Sequence, residues 1–189
     1  MMGSFQELCR QITKQMQAKT PLIIAIDGPC GGGKTTLATR LHQEFPDSVM
    51  IHADDFFLQP HQRTPERLAE PGGNMDRERL EQDVLQQLQS RRAFLYHRFD
   101  CQKNKMMSLQ FEPASLVIVE GSYSLHPAIS RYYDLKVFLD TDAGTQLQRL
   151  AKRVPAAMLP RFLKEWIPKE MAYFQHFNIK ENSDIVLSL

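Results

Sequence analysis

The run Gly28-Pro29-Cys30-Gly31-Gly32-Gly33-Lys34-Thr35 has the residue types that chemistry on a polyphosphate needs, at the spacing it needs them. Glycines let the backbone wrap closely, so that successive N–H groups converge on phosphate oxygens. A helix starting near Lys34 would add its unsatisfied N–H groups and the positive end of its dipole. Lys34 would neutralise charge on the β- and γ-phosphates, and the Thr35 hydroxyl would ligate Mg²⁺. Thr36 extends the first helical turn, so every residue from Gly28 to Thr36 is a candidate contact for ATP and its Mg²⁺. A chance match to the pattern in a chain of this composition is on the order of one per cent. Cys30 reads as filler in the loop, with a helix-terminus thiol of lowered pKa as the alternative.

A phosphate site alone fits a small-molecule kinase, a GTPase-type switch or a motor or regulatory ATPase. The guanine-reading Asn-Lys-x-Asp is missing, because Asn104-Lys105 is followed by Met106-Met107. Large additional elements and basic tracks for a polymer substrate are also missing. Kinase chemistry needs a base near an acceptor hydroxyl, an acid near the metal, and cations over the phosphates. Asp54-Asp55 follows the strand 49–51, and a carboxylate there can take the proton of an attacking hydroxyl; the alternative is a pair of acids capping a turn. Phe56 and Phe57 serve either to anchor the loop or as an aromatic wall for the substrate, and Phe56 is the candidate for the wall. Glu120 ends a strand before Gly121, where an acid suits the water shell of Mg²⁺ or, alternatively, a backbone amide. Arg149 and Arg153 share one face of a helix end and could close over the triphosphate, or simply be solvated surface charge.

These residues need a scaffold of strands and helices. Leu22–Ile26, Val49–Ile51, Leu116–Val119, Leu135–Leu139 and Ile185–Leu187 are short apolar runs that read as buried strands. Helices are expected over Phe5–Met16, opened by Ser4 and Glu7 as a capping box, over Lys34–Glu44, from Asp76 through Leu88, over Ala143–Arg153 and over Arg161–Phe177. Strands alternating with helices mean crossover connections, hence an α/β fold with a mostly parallel sheet and helices on both faces. The stretch 53–73, with Pro60, Pro65, Pro71 and Gly72-Gly73 as breakers, is expected to be irregular. A small hairpin is expected from Ala93–Phe99 and Ser108–Phe111.

With 189 residues the chain suits one domain, residues 1–189, with a substrate loop at 53–75 and a lid at about 149–161. Lys plus Arg is 23 and Asp plus Glu is 22, a balance that argues against a nucleic-acid binder. The longest apolar runs fall far short of the ~20 residues of a membrane span, and no secretory signal is recognised. Cys9, Cys30 and Cys101 form no CxxC pair and no even set, which fits free thiols in a reducing cytoplasm. The expected partner is a small-molecule acceptor, with neither nucleic acid nor membrane, and a homo-oligomer is left open.

By motif order and spacing from Leu22 to about Phe174, the chain resembles the uridine kinase-like branch of the P-loop kinases, with uridine kinase, nicotinamide riboside kinase, phosphoribulokinase and bacterial pantothenate kinase. The resemblance implies the three-layer P-loop NTPase fold. Gly28–Thr36 matches the family's phosphate loop, and Ile51-His52-Ala53-Asp54-Asp55-Phe56-Phe57 its acid motif, which gives Asp54 the role of catalytic base. Val117–Gly121 is similar to the family's strand ending in an acid and glycine, and Arg149 and Arg153 match its lid arginines. Asn74-Met75-Asp76 looks like the family's Asn-x-Asp, which implies that Asp76 holds ribose hydroxyls, and Trp166-Ile167-Pro168 resembles its aromatic-x-Pro. Phe99–Asn104 departs from the nucleoside kinases, because no base-reading histidine follows, and the lid lacks the Arg-Gly-Arg run. The implied activity is ATP- and Mg²⁺-dependent phosphorylation of a small metabolite's hydroxyl, foremost a nucleoside. The alternatives are another acceptor (nicotinamide riboside, pantothenate or a sugar) and a nucleotide-binding regulator without acceptor chemistry.

Overall fold

Six strands hydrogen-bond side by side in a computed structural model that describes residues 2–188. In chain order they are β1 (Met2–Gly3), β2 (Leu22–Asp27), β3 (Ser48–His52), β6 (Leu116–Glu120), β7 (Leu135–Asp140) and β8 (Ile185–Ser188), with β4 (Phe94–Asp100) and β5 (Lys105–Phe111) set apart. The spatial order is β1-β8-β7-β2-β6-β3, and every neighbouring pair is parallel. Parallel strands with both faces covered must be apolar throughout, and all six residues of β2 are buried, as are all five of β6. One face of the sheet packs against α1 (Phe5–Met16) and α2 (Lys34–Glu44) through Leu8, Ile12, Leu37 and Leu41. The other face packs against Leu80, Val84, Ile129, Tyr173 and Phe174. The expected α/β fold, with helices on both faces of a parallel sheet, is the fold observed.

Two-residue β1 carries no readable pattern, and it extends the edge beside β8. The expected helix from Asp76 is broken into α4 (Arg77–Leu80), a wide turn over Glu81–Leu85 and a tight one over Gln87–Ser90. Likewise α7 (Leu159–Arg161) and α8 (Ile167–Phe177) are joined by a wide turn over Phe162–Trp166. The hairpin forms from β4 (Phe94–Asp100) and β5 (Lys105–Phe111), so its second strand starts three residues earlier than its polar sequence suggests.

The stretch after β3 is more ordered than its prolines imply. A tight turn covers Ala53–Phe56, a second Pro60–Gln62, and α3 spans Pro65–Ala69, capped by Thr64 Oγ1 accepting from the Arg67 amide at 3.2 Å. Arg67 holds the segment closed, its Nε donating to Gly73 O at 3.0 Å and its Nη2 to Met75 O at 2.9 Å. Pro65 sits at the first turn of α3, where a missing N–H costs nothing, so it starts structure there.

Candidate active site

Parallel register delivers the site. Ile26 of β2 and His52 of β3 both stand opposite Glu120 of β6, so the carboxyl ends of the three strands open onto one crevice. The phosphate loop leaves β2 and enters α2 there. Gly28, Gly31 and Gly33 have φ of 145°, 74° and 103°, a backbone that side chains rarely allow. A Cβ on Gly32 would stand 2.7 Å from Pro29 O, so the loop is wrapped as tightly as a phosphate cradle requires.

The cleft has a volume of about 640 Å³. It is lined by the loop residues Cys30, Gly31, Gly33, Lys34, Thr35 and Thr36, by Asp54, Glu120, Gly121 and Ser122, and by the cations Arg40, Arg149 and Arg153. The sequence expectation thus finds its loop, base candidate, strand-end acid and lid arginines around one space. Arg149, on α6 (Ala143–Arg153), donates from Nη1 to Gly32 O at 2.9 Å, which joins that helix to the loop.

Thr35 and Glu120 are brought together: Thr35 Oγ1 lies 3.2 Å from each Glu120 oxygen. Glu120 also shares a 2.6 Å hydrogen bond with His52 Nδ1, and that bond lifts the imidazole above its usual range. Among the described residues no cluster of three or more His, Cys, Asp or Glu side chains could hold a metal. Mg²⁺ bound with a nucleotide takes one or two protein oxygens and the rest from phosphates and water, so the Thr35 and Glu120 pair suits it.

Lys34 is folded back onto its own loop. Its Nζ donates to Gly28 O at 2.7 Å, Pro29 O at 3.1 Å and Ser122 Oγ at 3.3 Å, which employs all three of its hydrogens. Asp54 presents its carboxylate to the cleft, with Oδ1 3.3 Å from where a Cβ on Gly121 would stand. Asp54 is exposed to the cleft, and crowding by the cleft walls nudges its pKa up, opposed by nearby Lys34 and assisted by Glu120. A carboxyl raised this way is a stronger base than an ordinary aspartate. Asp55 beside it is half-buried and stands 4.0 Å from Arg98 of the hairpin.

Two expected acceptor residues lie elsewhere. Phe56 is fully buried in the core, stacked on Tyr96 with ring centroids 6.2 Å apart and with the Arg79 guanidinium 4.8 Å above its ring. It anchors the loop, because the tight turn that aims Asp54 at the cleft sends Phe56 into the core. Asp76 is 3% exposed and fully engaged. Its Oδ1 accepts from the Arg79 amide at 3.1 Å, capping α4, while Oδ2 accepts from Arg79 Nε at 3.1 Å and Gln62 Nε2 at 2.9 Å. These bonds tie Asp76 into a structural knot, since Arg79 also reaches Asp55 O and Phe57 O.

Three further residues escaped the sequence reading. Asp27 is wholly buried beneath the loop, accepting from the Gly28, Tyr123 and Leu125 amides and from Tyr173 Oη at 2.7–3.2 Å. Burial pushes its pKa up to about 6. Ser122 follows Glu120-Gly121 into the cleft, and Glu170 of α8 reaches it from below. Glu170 stands on the face that also buries Tyr173 and Phe174, so an acid inside an apolar stripe was its available signal. Burial and the charge of Glu170 push the Cys30 thiol up to about 12, which disfavours its thiolate.

No family model matches the chain. Among curated proteins, uridine kinase of Streptococcus pyogenes serotype M5 is 31% identical over 147 residues, covering 71% of this chain and 69% of that protein. Uridine kinase of Brevibacillus brevis is 32% identical over 139 residues, 68% of this chain, and the match spans 64% of its length. Among solved structures, a possible uridine kinase from Bacillus stearothermophilus superposes with a TM-score of 0.70 at 19% identity, over 96% of this chain and 99% of that one. With this similarity added to the crevice geometry, the chain belongs to the uridine kinase-like family of P-loop kinases.

Proposed function

We propose that the protein is an ATP- and Mg²⁺-dependent phosphotransferase whose acceptor is a hydroxyl of a small metabolite. The observation that carries the reading is the convergence of Asp54 with the phosphate loop and the Thr35 and Glu120 pair on one cleft. A nucleotide regulator needs the loop and the metal pair, whereas an exposed carboxylate facing the same space suits an attacking hydroxyl.

Bound MgATP would bring the transferable γ-phosphoryl and a divalent charge. The chain's own contribution is positional and electrostatic. Loop amides and Lys34, swung out from its carbonyls, would hold the β- and γ-phosphates. Thr35 and Glu120 would seat the metal's protein side, with His52 fixing the Glu120 carboxylate. Asp54 would take the proton of the acceptor hydroxyl, while Arg149 and Arg153 would neutralise charge as transfer proceeds.

The relatives named uridine kinase make uridine the first acceptor to assay. The engagement of Asp76 removes one reason to expect a ribose, so the reading stands at the level of a hydroxyl acceptor. A coupled assay of ADP release across nucleosides, nicotinamide riboside, pantothenate and sugars tests it. Release that rises at least tenfold with one of these acceptors supports the reading, and flat release with all of them supports the regulator instead.

A further inference from the structure

Glu170 is a buried carboxylate, 4% exposed, that the chemistry above does not use. A carboxylate inside a protein must have its oxygens satisfied and its charge offset. Its Oε2 accepts from the Cys30 amide of the phosphate loop at 2.9 Å, and its Oε1 accepts from Ser122 Oγ at 2.5 Å. Ser122 Oγ accepts in turn from Lys34 Nζ at 3.3 Å. The hydroxyl has one hydrogen, and Glu170 takes it, which turns a Ser122 lone pair toward the ammonium. A residue of α8, the helix that follows the lid, therefore fixes both the loop backbone and the resting place of Lys34.

We propose that Glu170 is a positioning residue for phosphoryl transfer, acting on Lys34 through Ser122 and on the phosphate loop through the Cys30 amide. The inference rests on the kinase reading for its effect on turnover, but not for its effect on nucleotide binding. Two consequences follow from the charge. Glu170 and Lys34 share Ser122 as a hydrogen-bonded bridge, so their opposite charges face each other across one hydroxyl. When a triphosphate takes Lys34, the buried carboxylate faces added negative charge, so it opposes binding while it holds the machinery in place. A residue that only props up the fold has no such opposed pair of effects.

The test compares wild type with Glu170→Gln, Ser122→Ala and the double variant, measuring the Kd for MgATP by calorimetry, acceptor-dependent kcat and Tm. Glu170→Gln keeps the shape, removes the charge and leaves a single acceptor oxygen, so either the Cys30 amide or the Ser122 hydroxyl loses its partner. It is expected to bind MgATP severalfold more tightly and to turn over about tenfold more slowly, as a displaced electrostatic group costs. Ser122→Ala cuts the path to Lys34 but leaves the charge, so kcat falls severalfold without tighter binding. The double variant turns over no more slowly than Glu170→Gln alone, because both act along one path. Weaker binding and slower turnover in proportion to a lost Tm would make Glu170 a strut and overturn the proposal. Wild-type values throughout, or kcat losses that multiply in the double variant, would overturn it as well. Should Glu170→Gln not fold, unchanged kcat in Ser122→Ala overturns it, and a fall in kcat at unchanged Tm supports it. Should wild type release ADP independently of any acceptor, the kinase reading fails, while the Kd comparison still decides the role of Glu170.

Discussion

Lys34 shows how much one side chain can be made to do. Its three hydrogens go to Gly28 O, Pro29 O and Ser122 Oγ, so neutral acceptors hold the ammonium beside the loop. Turning toward a triphosphate exchanges neutral acceptors for charged ones, which make the stronger hydrogen bonds. Lys34→Ala is expected to lower acceptor-dependent turnover by at least about a hundredfold, since a preorganised charge at the transferring group is lost. The check is kcat beside Tm, and a variant that turns over like wild type would remove Lys34 from the site. At this scale the sequence was most legible where a residue acts through the backbone pattern around it. The glycine spacing and the strand-end positions of Asp54 and Glu120 fix their places by chain geometry alone. The packing of Phe56 and the role of Glu170 were not legible for one physical reason: they depend on partners distant in the chain. Tyr96 lies 40 residues from Phe56, and the Cys30 amide lies 140 residues from Glu170.

Two short helices are each opened by a titratable side chain, α4 by Asp76 and α5 by His126. Asp76 opens α4 and binds Arg79, which in turn ties down the carbonyls of Asp55 and Phe57. Asp76→Ala removes a helix cap and strands a nearly buried guanidinium, at a cost of about 2–4 kcal/mol. The expected readout is a lower Tm with an unchanged acceptor KM. A KM raised tenfold at constant Tm would return Asp76 to the acceptor pocket. His126 caps α5 (Pro127–Ser130) by accepting from the Ala128 amide, and stacks on Tyr173. Burial pushes its pKa down to about 4, from 6.5 when unhindered. The folded chain therefore favours the neutral ring: the stability this brings is complete above pH 6.5 and is lost as pH falls toward 4. His126→Asn keeps a capping acceptor and cannot take the proton, so its Tm should fall less than that of wild type between pH 7 and pH 4.5. Parallel acid curves for the two proteins would show that His126 does not titrate in that range. Such elements are hard to see in sequence, because a helix of four or five residues has no periodicity to display.

Across the whole molecule the legible part is the sheet. Five apolar runs can be buried on both faces only in a parallel sheet, and that sheet fixes where the carboxyl ends meet. Strand order is less legible, since the two-residue edge strand β1 gives no pattern and β8 joins the sheet only through β7 and β1. The same architecture explains why one crevice gathers residues from positions 30 to 153: β2, β3 and β6 end together, and α6 brings its arginines over them. Among the described residues no helix is long and apolar enough to cross a membrane. What the assembly does turns on whether Asp54 activates an acceptor or only borders a nucleotide site. Asp54→Asn keeps the shape, removes the proton acceptor and leaves the phosphate loop intact. The direct measurement is acceptor-dependent ADP release by this variant beside its affinity for MgATP. Release is expected to fall about a hundredfold or more while Kd stays within about threefold of wild type, and Asp55→Asn should fall far less. Undiminished release in Asp54→Asn, with the loss appearing in Asp55→Asn or in neither, would contradict Asp54 as the base.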